Sequence, residues 1–261
     1  MVALAIVLGF MGLVITVLRV QAFVERGLVG VDFRLFSELG RRWSESGSMY
    51  QEYQPAGPYP FDRAAGTNDV GDAPGLYPPI AGPAFALARL LGPVVWWAVP
   101  IGVLIYAFTQ WRPAAWTWPL FALTTLWPST AAPFLTGSTT MLVAAGVAGG
   151  LLWGWPALVI VFKPTFAPFA VVGIRRRSFW VGLVLLVVLS LAMLGEWAIY
   201  LSAMRNVTGA GLLYSIADLP LVLVPIIGWL GRSRPGTPAR EPRNDWNEQQ
   251  RQVANRVERT R

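Results

Sequence analysis

Eight predominantly apolar runs dominate the sequence and leave few architectures open to it. They comprise residues 2–24, 77–91, 93–111, 114–135, 138–152, 155–172, 178–203 and 211–230. A helix of about 20 apolar residues matches the hydrocarbon thickness of a bilayer. Two runs, 77–91 and 138–152, are shorter, so we expect them to be tilted, broken or re-entrant. The pattern predicts an all-α, polytopic transmembrane protein with about eight membrane-spanning or re-entrant helices.

Two absences limit the chemistry that the chain can perform. Its 261 residues include no cysteine and no histidine. Disulfides, thiolate metal sites and imidazole general bases are therefore excluded. Carboxylates, hydroxyls, lysine and arginine remain as reactive groups, and no pair of acids has the spacing of a metal site. We expect neither a metal nor a cofactor.

The positive charge is distributed as in a membrane protein. The net charge of +7 arises largely from the arginine triplet 175–177 and from the tail 231–261. Such clusters are typical of cytoplasmic segments next to membrane spans, and we expect no nucleic acid as a partner. The first run lacks a basic start and a clear cleavage site, so we interpret it as a retained span.

The positive-inside rule then predicts the topology. If all eight runs cross, both termini and the triplet are cytoplasmic, and the loop 25–76 lies outside. A seven-span alternative, in which residues 77–111 form one span and an interfacial piece, would place the triplet outside. The chain thus divides into a transmembrane module, 1–230, and a polar arginine-rich tail, 231–261, which we expect to be disordered or a surface helix.

The outer loop begins with an amphipathic segment. Phe36, Leu39 and Trp43 follow one another at spacings of three and four, which predicts a helix over residues 31–47 lying along the membrane surface. Asp32 shares its apolar face. A carboxylate there is partly desolvated, which favours a general base. The alternative is that Asp32 caps the helix, and the sequence leaves both interpretations open.

Lys163 is the second candidate, because it is the sole lysine of the chain and lies within an apolar run directly before Pro164. An ammonium at that depth costs about 3 kcal/mol on insertion scales, so it normally has a partner or a function. We predict that it meets an anionic group such as a phosphate. The alternative is a snorkelling lysine beside a distorted helix.

Five segments, in order, carry a resemblance to a known family. They are VDFRLF, GSMYQ, LYPPIAGPAFAL, TGSTTMLVAAGVAGGLLWG and VFKPTFAPFAVVGIRRRSFW. Together they resemble the polytopic GT-C glycosyltransferases, most closely the family 87 polyprenol-phosphate-mannose-dependent mannosyltransferases. The resemblance implies a plasma-membrane enzyme that moves a sugar, here mannose, from a polyprenyl-phosphate donor to the hydroxyl of a glycan or glycolipid acceptor. Transfer would invert the anomeric configuration at the outer face, without a metal.

The resemblance also implies roles for individual residues. Asp32 would be the general base, and Lys163 would lie near the lipid phosphate, with Arg34 and Arg63 as further cations. The remaining implied substrate-binding residues are Tyr50, Tyr77, Pro78 and Gly137, with Gly47 shaping the outer cavity. Where the family has G-Q-x-N, residues 137–140 read GSTT and lack both amides. The sequence ends about where the family continues with further spans, so we expect a reduced acceptor side or a partner subunit that supplies it.

Two other functions stay open at this point. A non-catalytic relative could bind a lipid-linked sugar or assist a partner enzyme, which the altered GSTT segment favours. A small lipid or solute transporter could use Lys163 to mark a substrate path. The lack of internal repeats and the asymmetric outer loop argue against the transporter.

Overall fold

The computed structural model describes residues 2–61, 70–127, 129–209 and 215–233. Arg63 and the tail from residue 234 onward lie outside these ranges, so their predicted roles stay predictions. Within the described ranges the chain is mostly helical.

The described α-helices are, in chain order, α1 (Val2–Glu25), α2 (Val31–Ser46), α3 (Tyr53–Ala56), α4 (Gly82–Trp111), α5 (Trp118–Leu126), α6 (Ala132–Thr136), α7 (Thr139–Leu152), α8 (Arg177–Ala192), α9 (Leu194–Asn206) and α10 (Leu219–Leu230). Five 3₁₀ segments accompany them: Pro79–Ala81, Ala115–Thr117, Trp155–Phe162, Pro164–Gly173 and Ile216–Asp218. The described strands are β1 (Tyr59–Pro60) and β2 (Val207–Thr208), which pair in parallel.

Two elements in the described ranges are long and apolar enough to cross a membrane, Ile6–Glu25 and Pro79–Trp111. The pair α8 and α9 adds a third if it counts as one broken span, because the two helices are bent by 83°. The predicted helical fold is therefore confirmed, with two or three candidate membrane spans in the described ranges. The helix lengths do not show the eight separate spans that the sequence predicts.

The predicted runs differ from the observed helices where glycine and proline interrupt them. Runs 77–91 and 93–111 form one continuous element, kinked at Gly92, whose φ of 79° and ψ of 174° are not helical. Run 155–172 forms two 3₁₀ segments in place of an α-helix. Proline removes a backbone donor and clashes with the preceding turn, and Pro156, Pro164 and Pro168 recur through this run.

Helix α2 has almost the predicted bounds. Gly30 and Gly47, with φ of 71° and 78°, flank it in the left-handed conformation that favours glycine. Its apolar face packs on protein: Phe36 is buried and stacks on Phe85 of α4 with ring centroids 4.8 Å apart. This packing fixes the start of α2, and therefore Asp32, relative to α4.

The contact between α2 and α4 depends on Gly40. A Cβ at this position would lie 2.5 Å from the backbone carbonyl of Phe85. Because backbone atoms cannot move aside cheaply, we expect Gly40→Ala to destabilise the protein by about 1–3 kcal/mol. Thermal unfolding in detergent micelles measures the loss. Gly102→Ala on α4, where a Cβ meets nothing within 4 Å, is the matched control and should leave the melting temperature unchanged or higher. Equal melting temperatures for both variants would contradict this account of the helix contact.

Two further contacts join distant parts of the chain. Tyr59 and Pro60 in β1 are in register with Val207 and Thr208 in β2. At a different place, Pro113 forms an antiparallel bridge with Arg232, and the amide of Ala114 donates to the carbonyl of Gly231 at 2.8 Å. These contacts fix which loops lie next to each other.

Candidate functional site

Three ionisable side chains from distant parts of the sequence meet in one polar cluster. Asp32 comes from the first turn of α2, Lys163 from the junction of the two central 3₁₀ segments, and Asp218 from the turn before α10. The hydroxyl-bearing residues of the segment 136–140 lie among them. We call this set the polar cluster.

Asp32 points toward α6. Its Oδ2 accepts a 2.7 Å hydrogen bond from the hydroxyl of Thr136, the last residue of α6. The residue at the N-cap position of α2 is Gly30, and no side chain caps that end of the helix. Asp32 therefore makes its contact across the protein, and a capping role does not account for it.

The surroundings of Asp32 alter its acidity. Burial raises the pKa of the Asp32 carboxyl. The Thr136 hydrogen bond and the positive charge of Lys163 partly oppose this rise in the pKa, whereas the charge of Asp218 adds to it. A carboxylate with a raised pKa is a stronger proton acceptor, which is the property that a general base needs.

Lys163 is buried and paired. Its side chain is 3% exposed, and its ammonium donates to Oδ2 of Asp218 at 3.1 Å and to the hydroxyl of Thr140. Thr140 in turn donates to the same Asp218 oxygen at 2.7 Å. This triangle of Lys163, Thr140 and Asp218 does not fit a snorkelling lysine, whose ammonium reaches solvent.

The GSTT segment shapes the cluster through backbone geometry and hydroxyls. Gly137 has a φ of 78°, and a Cβ there would lie 2.7 Å from the ring of Trp97. Its carbonyl accepts from the indole of Trp96 at 2.7 Å. Ser138 is the N-cap of α7 and accepts from the amide of Thr140. Gly137 thus serves the turn, and the hydroxyls that follow face the cluster.

Tyr50, Tyr77 and Pro78 lie together, and Tyr77 contacts the segment 136–140. The Tyr77 hydroxyl accepts a 3.3 Å hydrogen bond from Thr139, which begins α7. The Tyr50 hydroxyl donates to the Tyr77 carbonyl at 2.7 Å. Pro78 is buried next to Tyr77, at the start of the 3₁₀ turn that leads into α4. The structure therefore places Tyr77 next to the start of α7, with Tyr50 and Pro78 beside Tyr77.

Arg34 has a different role from the predicted one. Its exposed guanidinium donates to the carbonyls of Val29 at 3.0 Å and Gly27 at 3.2 Å. These groups belong to the turn between α1 and α2, so Arg34 stabilises that turn, and none of its described hydrogen bonds reaches the polar cluster. Gly47 ends α2 and likewise acts on the backbone.

The function of this chain is inferred from the geometry of its side chains. No protein-family model, curated protein or solved structure matches it. In the described ranges, no group of three or more Asp or Glu side chains is placed to hold a metal ion.

Sequence reasoning missed the partners of the two main candidates. Thr136, Thr140 and Asp218 were not predicted to contact Asp32 or Lys163. A signal for Asp218 was present, because ionisable residues bordering apolar runs of a membrane protein tend to pair with one another. The sequence does not show that Lys163 is the partner of Asp218, because 55 residues separate them.

The arrangement can accept a proton and hold an anion in adjacent places. Asp32 supplies the proton acceptor, and the segment 136–140 links it to Lys163, since Thr136 donates to Asp32 and Thr140 accepts from Lys163. The ammonium of Lys163 is the donor for an anion, and it contacts Thr140 at the N-terminus of α7, where the helix dipole also favours negative charge.

Proposed function

We propose that the protein is a membrane glycosyltransferase of the GT-C type, transferring a sugar from a polyprenyl-phosphate donor to an acceptor hydroxyl. One observation carries the proposal: a partly buried carboxylate, Asp32, and a buried ammonium, Lys163, both contact hydroxyl groups of the segment 136–140. Acid–base chemistry and phosphate stabilisation need these two groups side by side. The resemblance of the five sequence segments to family 87 supports the same assignment and makes mannose the proposed sugar.

The reaction divides between the two groups. The acceptor oxygen attacks the anomeric carbon from the face opposite the phosphate, and the bond from that carbon to the phosphate oxygen breaks. The acceptor proton passes to Asp32, and the polyprenyl phosphate leaves with the bonding electrons. The new glycosidic bond has the inverted configuration. The proposed chemistry uses no metal.

The charge of the polar cluster changes in step with this reaction. With both carboxyls ionised, Asp32, Asp218 and Lys163 carry a formal charge of −1. Once Asp32 has taken the proton, the cluster is neutral, at the moment when the leaving phosphate, already singly negative as a diester, has gained a second negative charge. The cluster therefore repels the leaving group less in the transition state than in the ground state, and such a difference is what lowers a barrier.

The proposal includes a location. A lipid-linked donor places the polar cluster at a membrane surface, and the positive-inside rule makes that surface the outer face of the plasma membrane, with both termini cytoplasmic. The acceptor is a glycan or glycolipid. A partner subunit is a further proposed component.

A transporter is the second candidate, because the Lys163–Asp218 pair lies where two 3₁₀ segments interrupt an apolar run. Broken helices and paired charges at membrane depth are features of transporter substrate sites. The two candidate functions differ in what happens to the donor lipid: the enzyme cleaves it, whereas a transporter leaves it intact.

The deciding experiment uses the full chain in lipid nanodiscs. Polyprenyl phosphate carrying radiolabelled mannose is supplied with neutral glycan acceptors, and label in the acceptor is measured. We expect transfer with release of polyprenyl phosphate, and no transfer from a nucleotide-linked mannose. An intact donor after prolonged incubation would overturn the proposal. Movement of that intact lipid between leaflets of proteoliposomes would favour the transporter.

Thr136 gives a pH-dependent prediction. Its hydroxyl stabilises the ionised form of Asp32, so Thr136→Val should raise the pKa of Asp32 further. Asp32 acts as a base only when ionised. The acidic limb of the kcat/KM profile should therefore move to higher pH, with activity restored in alkaline buffer. Thr109→Val, which removes a hydroxyl bonded within α4, is the control. An unshifted profile in Thr136→Val would contradict the role of this hydrogen bond.

A further inference from the structure

A cavity lies at the far end of α2, away from Asp32. Its volume is about 600 Å³, within the usual range for ligand pockets. It is formed by the last turns of α2, the loop that follows them, and α9. Neither the polar cluster nor the proposed reaction uses it.

The positive and negative side chains that line this cavity are equal in number. Arg41 and Arg42 line it together with Glu45 and Glu52. Arg41 forms ion pairs with Glu38 and Glu45. Arg42 pairs with Glu38 and donates to the carbonyls of three residues of the outer loop, Val70, Gly71 and Ala73. Both guanidinium groups are thus already engaged, so the cavity offers little attraction to an anionic ligand.

The remaining walls combine apolar surface with hydrogen-bonding groups. Tyr50, Pro55 and Ile199 supply apolar surface, and Ser48 and Gln51 add a hydroxyl and an amide. A sugar ring has an apolar face of C–H groups and a rim of hydroxyls that both donate and accept. Carboxylates, amides and hydroxyls arranged around an aromatic side chain match that chemistry, whereas a lipid tail would leave the polar groups unsatisfied.

The cavity is both connected to the polar cluster and distant from it. Ten residues of helix separate Asp32 from Arg42, about 15 Å. Tyr50 lines the cavity, and its hydroxyl donates to Tyr77, which contacts Thr139 of the cluster. A single sugar cannot reach both places at once, so an acceptor that reaches both must contain several sugar units.

We propose that this cavity binds the non-reacting part of a neutral oligosaccharide acceptor. The inference rests on the proposed function, and it narrows the acceptor to a saccharide of several units. Binding energy from a remote part of a substrate can be used to position the reacting hydroxyl. Acceptors long enough to reach the cavity should therefore react with higher kcat/KM than short ones.

The first measurement is binding, which does not depend on catalysis. Neutral manno-oligosaccharides of increasing length, from one sugar to six, are titrated into the full chain in nanodiscs by calorimetry. Ile199→Trp fills the cavity with a larger side chain and should weaken binding of the longer probes at least about tenfold, one decade of affinity. Leu201→Trp is the matched control, because Leu201 lies on the same helix and is 63% exposed. Glu52→Gln, which keeps the volume of the cavity, should weaken binding less.

The second measurement is transfer as a function of acceptor length. We expect kcat/KM to rise with length in the native protein and in Leu201→Trp, and to be independent of length in Ile199→Trp. Transfer that is equally fast to one sugar and to six would overturn the cavity proposal and leave the glycosyltransferase intact. Length-dependent binding that Ile199→Trp abolishes, with no transfer to any probe, would remove the enzyme and retain the saccharide site. Absence of binding by all six probes would overturn the cavity proposal.

Discussion

Asp32→Asn is expected to lower the rate of sugar transfer by about 10²- to 10⁴-fold, the range that general acid–base catalysis contributes. Asparagine has nearly the same shape, and its side-chain carbonyl can still accept from Thr136, so the contact between α2 and α6 should survive. It cannot take up the acceptor proton. The initial rate with radiolabelled donor, compared at saturating acceptor, measures the loss.

The control for this variant is Glu25→Gln, which makes the same chemical change at the exposed end of α1. It should leave transfer unchanged. Donor binding should also persist in Asp32→Asn, because the ammonium of Lys163 is retained. If Asp32→Asn transferred sugar as fast as the native protein, Asp32 would not be the base, and the central argument for the enzyme would be lost.

Lys163→Met is expected to destabilise the protein by about 3–5 kcal/mol, the usual effect of removing one partner of a buried ion pair. Asp218 would be left with the Thr140 hydroxyl and no cation, while only 19% of its side chain is exposed to water. The free energy of unfolding in mixed detergent micelles, titrated with sodium dodecyl sulfate, measures this loss.

A double variant tests whether the pair causes the effect. Lys163→Met combined with Asp218→Leu removes both charges, so most of the lost stability should return. Arg89→Met removes an exposed cation from another apolar helix and should change stability by less than about 1 kcal/mol. Additive losses from the two single substitutions would show that Lys163 and Asp218 do not depend on each other.

The position of α2 was predictable because its signals are local. Apolar residues at helical spacing define its buried face, and glycines stand immediately outside both ends. The observed helix, Val31–Ser46, accordingly differs from the predicted one by a single residue. What the periodicity could not reveal is the partner of that face, which is α4 of the protein itself.

The run 155–172 was predicted as a span because hydropathy does not register backbone geometry. Its composition is suitably apolar, yet three prolines prevent a continuous α-helix, and Lys163 lies in an extended conformation between two 3₁₀ segments. Weighing the prolines against the hydropathy would have indicated a broken element. The break is also what allows Lys163 to turn toward Asp218.

The candidate site was predictable in its members and not in its contacts. Asp32 and Lys163 each stood out as charges placed near or within apolar sequence. Their partners, Thr136 and Asp218, lie 104 and 55 residues away along the chain. Pairings of that kind depend on how helices pack, and no local pattern encodes them.

The pairing of β1 with β2 also restricts how the chain threads a bilayer. Segments that hydrogen-bond to each other lie on the same side of the membrane. The chain therefore crosses the membrane an even number of times between Pro60 and Val207. The bridge between Pro113 and Arg232 likewise requires an even number of membrane crossings between these two residues. If the kinked element Pro79–Trp111 crosses once, the chain must return between β2 and Arg232, and Ile216–Leu230 is the apolar stretch available. Its 15 residues cover about 22 Å, so we expect the bilayer around it to be thin, with headgroups close to the depth of Asp218.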